Sequence, residues 1–364
     1  MKKIFLYTIL YCLCISCIDP YEPDYSNIEN ENRIVVDAKL SNADTIYKIA
    51  LSNTIDVGAD TSANFIIANR VFILDDNGLE YSFVHKGQGI YELASSELCF
   101  ELDNTYQLNI ELEDGTQYSS TPVSLPEQVK FTEIKYRLQD KLIIVDEEEV
   151  YVQYIDFYGI NNLQRNNSIF YQIGYEGFFA LYPPYQGSSI CWPACKWEED
   201  QIPPDLSSLT FCYAPDVDYS PLNVIDLKPE NNEIVVASLP TDFKFAREYS
   251  MNLIINSIDK STFEYILAQK NQLDYGGGLF DPPPTNIIGN ISNPQRREDY
   301  ALGNFSIVNS YEIRVHVPAI SNADYSFCDY SAEGICFEPP FDYCCDCRQY
   351  PGAITTRPEF FPAQ

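Results

Sequence analysis

The stretch "TYQLNIELEDGTQYSS", residues 105–120, limits the fold more than any other part of the chain. Tyr106, Leu108, Ile110 and Leu112 alternate with Gln107, Asn109, Glu111 and Glu113. A period of two puts one set on a buried face and the other in water, which is a half-buried strand. Asp114-Gly115 then turns the chain into a returning strand through Tyr118. The same texture recurs in "RIVVDAKL", "TIYKIALSNT" and "RVFILDDNGLEYSFV", where Asn77-Gly78 predicts a tight hairpin with both central residues at positive φ. Short strands with such turns predict an Ig-like or transthyretin-like antiparallel sandwich over 33–127, closed by "TPVSLPE".

The next segment, 128–325, reads as a second, less regular β domain. "VYVQYIDFYG", "SIFYQIGYEGFF", "EYSMNLIINSI" and "YALGNFSIVNSYEIRVHVP" are its strand-like runs. One helix is expected at 261–274, "STFEYILAQKNQLD". Ser261 and Glu264 form its capping box, and its apolar side runs through Phe263, Ile266 and Leu267 with Lys270 and Asn271 adjoining. A long aromatic insertion, 178–205, carries Tyr182, Tyr185, Trp192 and Trp197. Tyrosine and tryptophan join a large apolar area to a polar handle, so these rings are either candidate partner contacts or packing beneath a disulfide-pinned loop. Residues 326–364 form a cysteine-rich tail expected to pack on the second domain.

The amino terminus sets the expected compartment. Lys2 and Lys3 precede an apolar run ending near Ser16. At 1.5 Å per residue that run reaches roughly 20 Å, short of a bilayer core of about 30 Å. Residues 1–16 therefore read as a signal peptide. Ser16-Cys17 at the end of the apolar core is the lipobox pattern, with Cys17 as the acylated residue; Cys12 and Cys14 follow bulky residues. Residues 17–32 become a polar tether, and the acyl chains a membrane anchor. Loss of Lys2 and Lys3 leaves 21 basic against 53 acidic residues, a formal charge of −32. Such a balance argues against nucleic acid as a partner.

Export makes disulfides the default use of cysteine. The candidates are Cys191, Cys195, Cys212, Cys328, Cys336, Cys344, Cys345 and Cys347, with Cys99 expected as a buried free thiol. The spacings C-x3-C and C-C-x-C, with only His85 and His316 as histidines, do not make a zinc site. The glycines of "GGGLFDPPP" are followed by prolines rather than a phosphate-binding helix. The run Asp146, Glu147, Glu148, Glu149 lacks the ligand spacing of a calcium loop and reads as a solvated hairpin tip. No catalytic constellation, cofactor or metal is expected.

The order of these pieces resembles a Bacteroidota outer-membrane lipoprotein family catalogued as domain of unknown function 4249. The resemblance is carried by the lipobox cysteine with "IDPYEPD", by "RIVVDAKLSN", "VFILDDNG…GIYELA" and "TYQLNIELEDGTQYSS", and most specifically by "STFEYILAQKNQ…GGGLFDPPPTNIIGNI…ALGNFS" and "CCDCRQYPGAITTRPEFF". The family often has a tryptophan after "PEF", where this chain has Phe361. The resemblance implies an outer-membrane location and a frequent neighbourhood of TonB-dependent transporters. It implies no activity and no catalytic residues. The expected role is a non-catalytic accessory subunit of such a receptor. The competing expectation is an independent surface binder of glycan or protein, or, less favoured, a hydrolase.

Overall fold

Alternation builds the first half of the chain as expected. The computed structural model describes residues 33–55, 64–145, 148–161, 166–182, 211–218, 222–274, 287–296, 298–320 and 347–362. The early strands are β1 (Ile34–Ser41), β2 (Ile46–Asn53), β3 (Ala68–Asp75), β4 (Glu80–Ser82), β5 (Val84–Gly87), β6 (Ile90–Ala94), β7 (Thr105–Leu112), β8 (Gln117–Ser120) and β9 (Val123–Ser124). Then follow β10 (Glu133–Val145), β11 (Glu148–Ile160), β12 (Ile169–Leu181), β13 (Cys212–Asp218), β14 (Val224–Leu227), β15 (Glu233–Pro240), β16 (Tyr249–Ile258), helix α1 (Lys260–Asp274), β17 (Ile291–Ser292) and β18 (Leu302–Val317). The protein is mainly β with this one α-helix among the described residues.

Three sheets result. A nine-stranded sheet runs β13-β12-β16-β18-β1-β2-β6-β5, with β14 also on β12. A six-stranded sheet runs β17-β8-β7-β3-β4, with β9 also on β7, and a three-stranded sheet runs β10-β11-β15. One core lies between the six-stranded sheet and the β1 side of the large sheet, with Val36, Leu40, Ile49, Ile73, Leu108, Ile110 and Phe305 at its centre. A second core lies between the three-stranded sheet and the β16 side, around Ile155, Phe157, Tyr171, Met251, Leu253 and Ile255.

Strand β18 joins the two cores. Its first half, from Leu302, pairs in parallel with β1. Its second half, from Asn309, pairs antiparallel with β16. A parallel pair needs a long crossover, and here nearly the whole chain supplies it. The sequence division at residue 127 therefore does not follow the sheets: β17 and the first half of β18 complete the first core. The change of partner leaves buried polar groups to satisfy. Asn309 donates to the Pro126 carbonyl at 2.9 Å and accepts from Gln128 and Asn42, each at 2.9 Å. The linker at 126–128 is thereby tied to the switch.

Two local expectations change. At the β3–β4 turn only Gly78 has positive φ, at 80°. The Asp75 carboxylate accepts from the amides of Asn77 and Leu79 at 3.0 and 2.8 Å, which holds Asn77 out of the left-handed region. Helix α1 is capped by Asp259, not Ser261: its carboxylate accepts from the Thr262 amide at 2.6 Å and the Ser261 hydroxyl at 3.1 Å. Aspartate and serine cap about equally well, and here the chain path brings Asp259 to the Thr262 amide. The buried side of α1 is Thr262 and Ile266, with Phe263 and Tyr265 half-buried, while Lys270 and Asn271 are exposed.

Candidate interaction surface

Of the residues singled out by sequence, Cys17, Tyr185, Trp192, Trp197, Cys191, Cys195, Cys328, Cys336, Cys344 and Cys345 lie outside the described residues. Tyr182 is half-buried just after β12, its ring 5.4 Å from Phe211 and 5.7 Å from the Arg247 guanidinium. Cys212 and Cys347 are bridged. Cys99 is free but exposed, contrary to expectation. It sits between buried Leu98 and Phe100, whose side chains take the inward positions.

The bridge starts a clasp. From Cys347 the tail runs along the outer edge of β13, where Ile354 exchanges backbone hydrogen bonds with Tyr213 at 2.8 and 2.9 Å. Arg357 forms a two-pronged ion pair with Glu248 and donates to the Tyr213 hydroxyl at 3.0 Å. Phe361 is buried against Tyr213, and Phe360 packs on Phe178 beneath the Arg314 guanidinium. His316 lies beside this cluster. Burial, then the nearby Arg314 charge, lowers its pKa below the usual histidine value. Its neighbours are the Phe361 ring, Arg314, Arg357 and the Glu248 carboxylate, and no nucleophile pairs with it among the described residues. His85, on β5, packs at a tilt against Tyr91 with ring centroids 4.9 Å apart, and three strands (β1, β2, β6) separate its strand from β18. The histidines thus form no joint site.

Two ion-pair clusters are structural. Asp216 accepts from Lys244 at 3.1 Å and from the Tyr249 hydroxyl at 2.8 Å, and burial raises the Tyr249 pKa well above its usual value. Asp156, buried on β11, accepts from Lys141 at 2.7 Å and Ser238 at 2.6 Å, linking all three strands of the small sheet. Among the described residues no group of three or more His, Cys, Asp or Glu could hold a metal ion. No described helix is long and apolar enough to cross a membrane.

The feature that asks for a partner is the β10–β11 hairpin. Its strands pair without slip from Glu133↔Ile160 to Val145↔Glu148. The third strand, β15, reaches only from Ile160 to Tyr154, where Pro240 ends the pairing. The Thr241 amide still donates to the Gln153 carbonyl at 2.9 Å, and beyond it residues 141–145 and 148–152 continue as a two-stranded arm, roughly 17 Å long at 3.4 Å per residue. The face that carries Ile155 and Phe157, both 0 % exposed, runs on outward to Tyr151 at 74 % and, across the pair, Leu142 at 48 % and Ile144 at 75 %. On the other face Val145 and Val150 are also exposed. Ile144 and Tyr151, with Leu273, are the most exposed large apolar side chains among the described residues.

The base of the arm is fastened and its end is not. Arg137 reaches over the Tyr158 ring to an ion pair with Glu233, and Gln139 donates to the Tyr158 hydroxyl at 2.8 Å. Beyond Lys141, no side chain from Leu142 to Val152 makes a hydrogen bond among the described residues. A lone two-stranded ribbon is marginal in water, and a cluster of exposed apolar side chains marks an interaction site. Sequence reading placed the acidic run at a hairpin tip but assigned no contact to the "KLIIV" and "VYV" segments that flank it. The available signal was apolar residues on both faces of both strands, which no single buried face requires.

A protein-family model described as Domain of unknown function (DUF4249) matches residues 18–337. No curated protein matches the chain. The clasp residues 347–362 lie beyond the matched range.

Proposed function

The chain belongs to this family of unknown function, and we propose that it is a non-catalytic binding subunit of the outer membrane, anchored by acyl chains on Cys17 and accessory to a TonB-dependent transporter. The single observation that supports a binding role is the β10–β11 arm, with Ile144 and Tyr151 held out from the sheet on a fastened base. The Ser16-Cys17 pattern closing the apolar run supports the anchor in this reading. Confinement to a surface raises effective concentration, so a modest apolar contact suffices. Exposed ion pairs contribute only about 0–1 kcal/mol, so the rings and aliphatic side chains carry the contact.

The test is affinity purification of the intact lipoprotein from native membranes. An outer-membrane barrel protein should co-purify with the wild type and be lost with Ile144→Lys/Tyr151→Lys. Cys17→Ser should move the protein to the soluble fraction. Recovery of no barrel protein, or full recovery by the double variant, contradicts the reading.

A further inference from the structure

Among the described residues, most sheet edges are short, covered or end in proline. β4, β5 and β17 are edges of three, four and two residues. The outer edge of β13 is capped by Ile354 of the tail. β15 ends its sheet in Pro240. These are the usual defences of a free edge. β10 has none of them along its outer half. It is 13 residues long, terminates the β10-β11-β15 order, and is exposed along nearly its whole length. No backbone hydrogen bond crosses its outer side among the described residues. Its pairing with β11 has no bulge to turn the edge away.

The charge pattern along this edge is directional. The charged residues of the inner part are Glu133, Lys135, Arg137, Asp140 and Lys141, and each cation is already matched, by Glu133 at 3.3 Å, by Glu233, and by Asp156 at 2.7 Å. The outer part, Leu142–Val145, has no charge and no proline. It ends against Glu148 and Glu149, which pair with Val145 and Ile144 and are both exposed and unmatched among the described residues. An apolar edge that finishes in uncompensated negative charge selects an occupant of complementary pattern.

Resting on the reading of the arm as the contact surface, we propose that the free edge of β10 is a strand-addition site. It takes an extended apolar segment of a partner protein that carries lysine or arginine where it meets the acidic end of the arm. Main-chain hydrogen bonds to β10 add to the apolar contact made by Leu142, Ile144 and Tyr151, whose side chains also select the apolar positions. A second copy of this chain is the poorer occupant, because two processed chains, each with 21 basic against 53 acidic residues, repel and would bring further acidic groups to the edge.

The test uses the full acylated chain in detergent micelles and two synthetic probes. Both are seven-residue alternating Val/Thr peptides, one flanked by lysines and the other by glutamates. The lysine-flanked peptide should bind at least tenfold more tightly. It should slow amide exchange at alternate residues from Leu138 to Val145, because every second N–H of an edge strand points outward. Glu148→Lys/Glu149→Lys should abolish or invert the preference while leaving exchange in β16 unchanged. Equal binding of both probes, no alternate protection in β10, or protection of that edge by the protein alone as its concentration rises overturns the proposal. The two readings fail separately. Absence of a barrel protein with intact peptide capture removes the transporter reading alone; a barrel retained while the edge captures no strand removes this one alone.

Discussion

Replacing both bridged cysteines, Cys212→Ala/Cys347→Ala, tests how the tail is held. The bridge closes a sequence separation of 135, and both residues are 0 % exposed. The chain-entropy relation gives about 5 kcal/mol at 25 °C for a loop of that length. Any further bridge within the loop lowers the value, so a loss of about 2–5 kcal/mol is expected. The loss resides mainly in the unfolded state. In the folded state Arg357 still holds Glu248, Ile354 still bonds Tyr213 at 2.8 and 2.9 Å, and Phe361 remains buried. Two readouts separate these contributions. Urea unfolding followed by circular dichroism should give the lower midpoint. Amide exchange at Ile354 and Tyr213 should stay slow in native buffer. A change below about 1 kcal/mol, or early loss of the Ile354 and Tyr213 amides, refutes the argument. The first outcome means the bridge adds no constraint; the second means the clasp depends on it even when folded.

Three further outcomes follow from local geometry. Asp259→Ala should cost about 1 kcal/mol and fray the start of α1 by circular dichroism, whereas Ser261→Ala should be near neutral, because Asp259 holds the Thr262 amide. His316 has a lowered pKa from burial and Arg314, so the unfolded chain binds its proton more readily. Stability should therefore fall as pH drops below about 6.5, and His316→Gln should flatten that part of the urea-midpoint profile. Gly303→Ala should cost about 2–4 kcal/mol in thermal unfolding, since φ is 104° and a Cβ there collides with the Val36 carbonyl oxygen on the paired strand.

What could be read from the sequence was what neighbouring residues decide. The Thr105–Leu112 alternation appears as burial of Tyr106, Leu108 and Ile110, and the long helix is present within a residue of its expected bounds. Its cap was misplaced because Asp259 and Ser261 are both good cap residues and only the chain path decides which one faces the Thr262 amide. The turn at Asp76–Gly78 was misjudged for a similar reason: Asp75, outside the Asn-Gly pair, supplies the competing acceptor. Long-range pairing leaves no local mark. Nothing near Val36 announces Gly303, and the run "LGNFSIVNSYEIRV" reads as one strand although its halves serve different cores. β10 gives no local sign of its free edge because "EIKYRLQDK" interleaves charge with apolar residues for reasons of its own: Arg137 answers Glu233 on β15, beyond β11, and Lys141 answers Asp156 on β11.

Site-specific photocrosslinking in native membranes tests the central claim most directly. A benzoylphenylalanine placed at Ile144 or Tyr151, on the exposed face of the arm, should give a discrete adduct with an outer-membrane barrel protein. The same group at Leu79, 55 % exposed at the remote β3–β4 turn, should give none. Absence of an adduct from both arm positions, or an equal adduct from Leu79, would contradict the assignment of the arm as the contact surface.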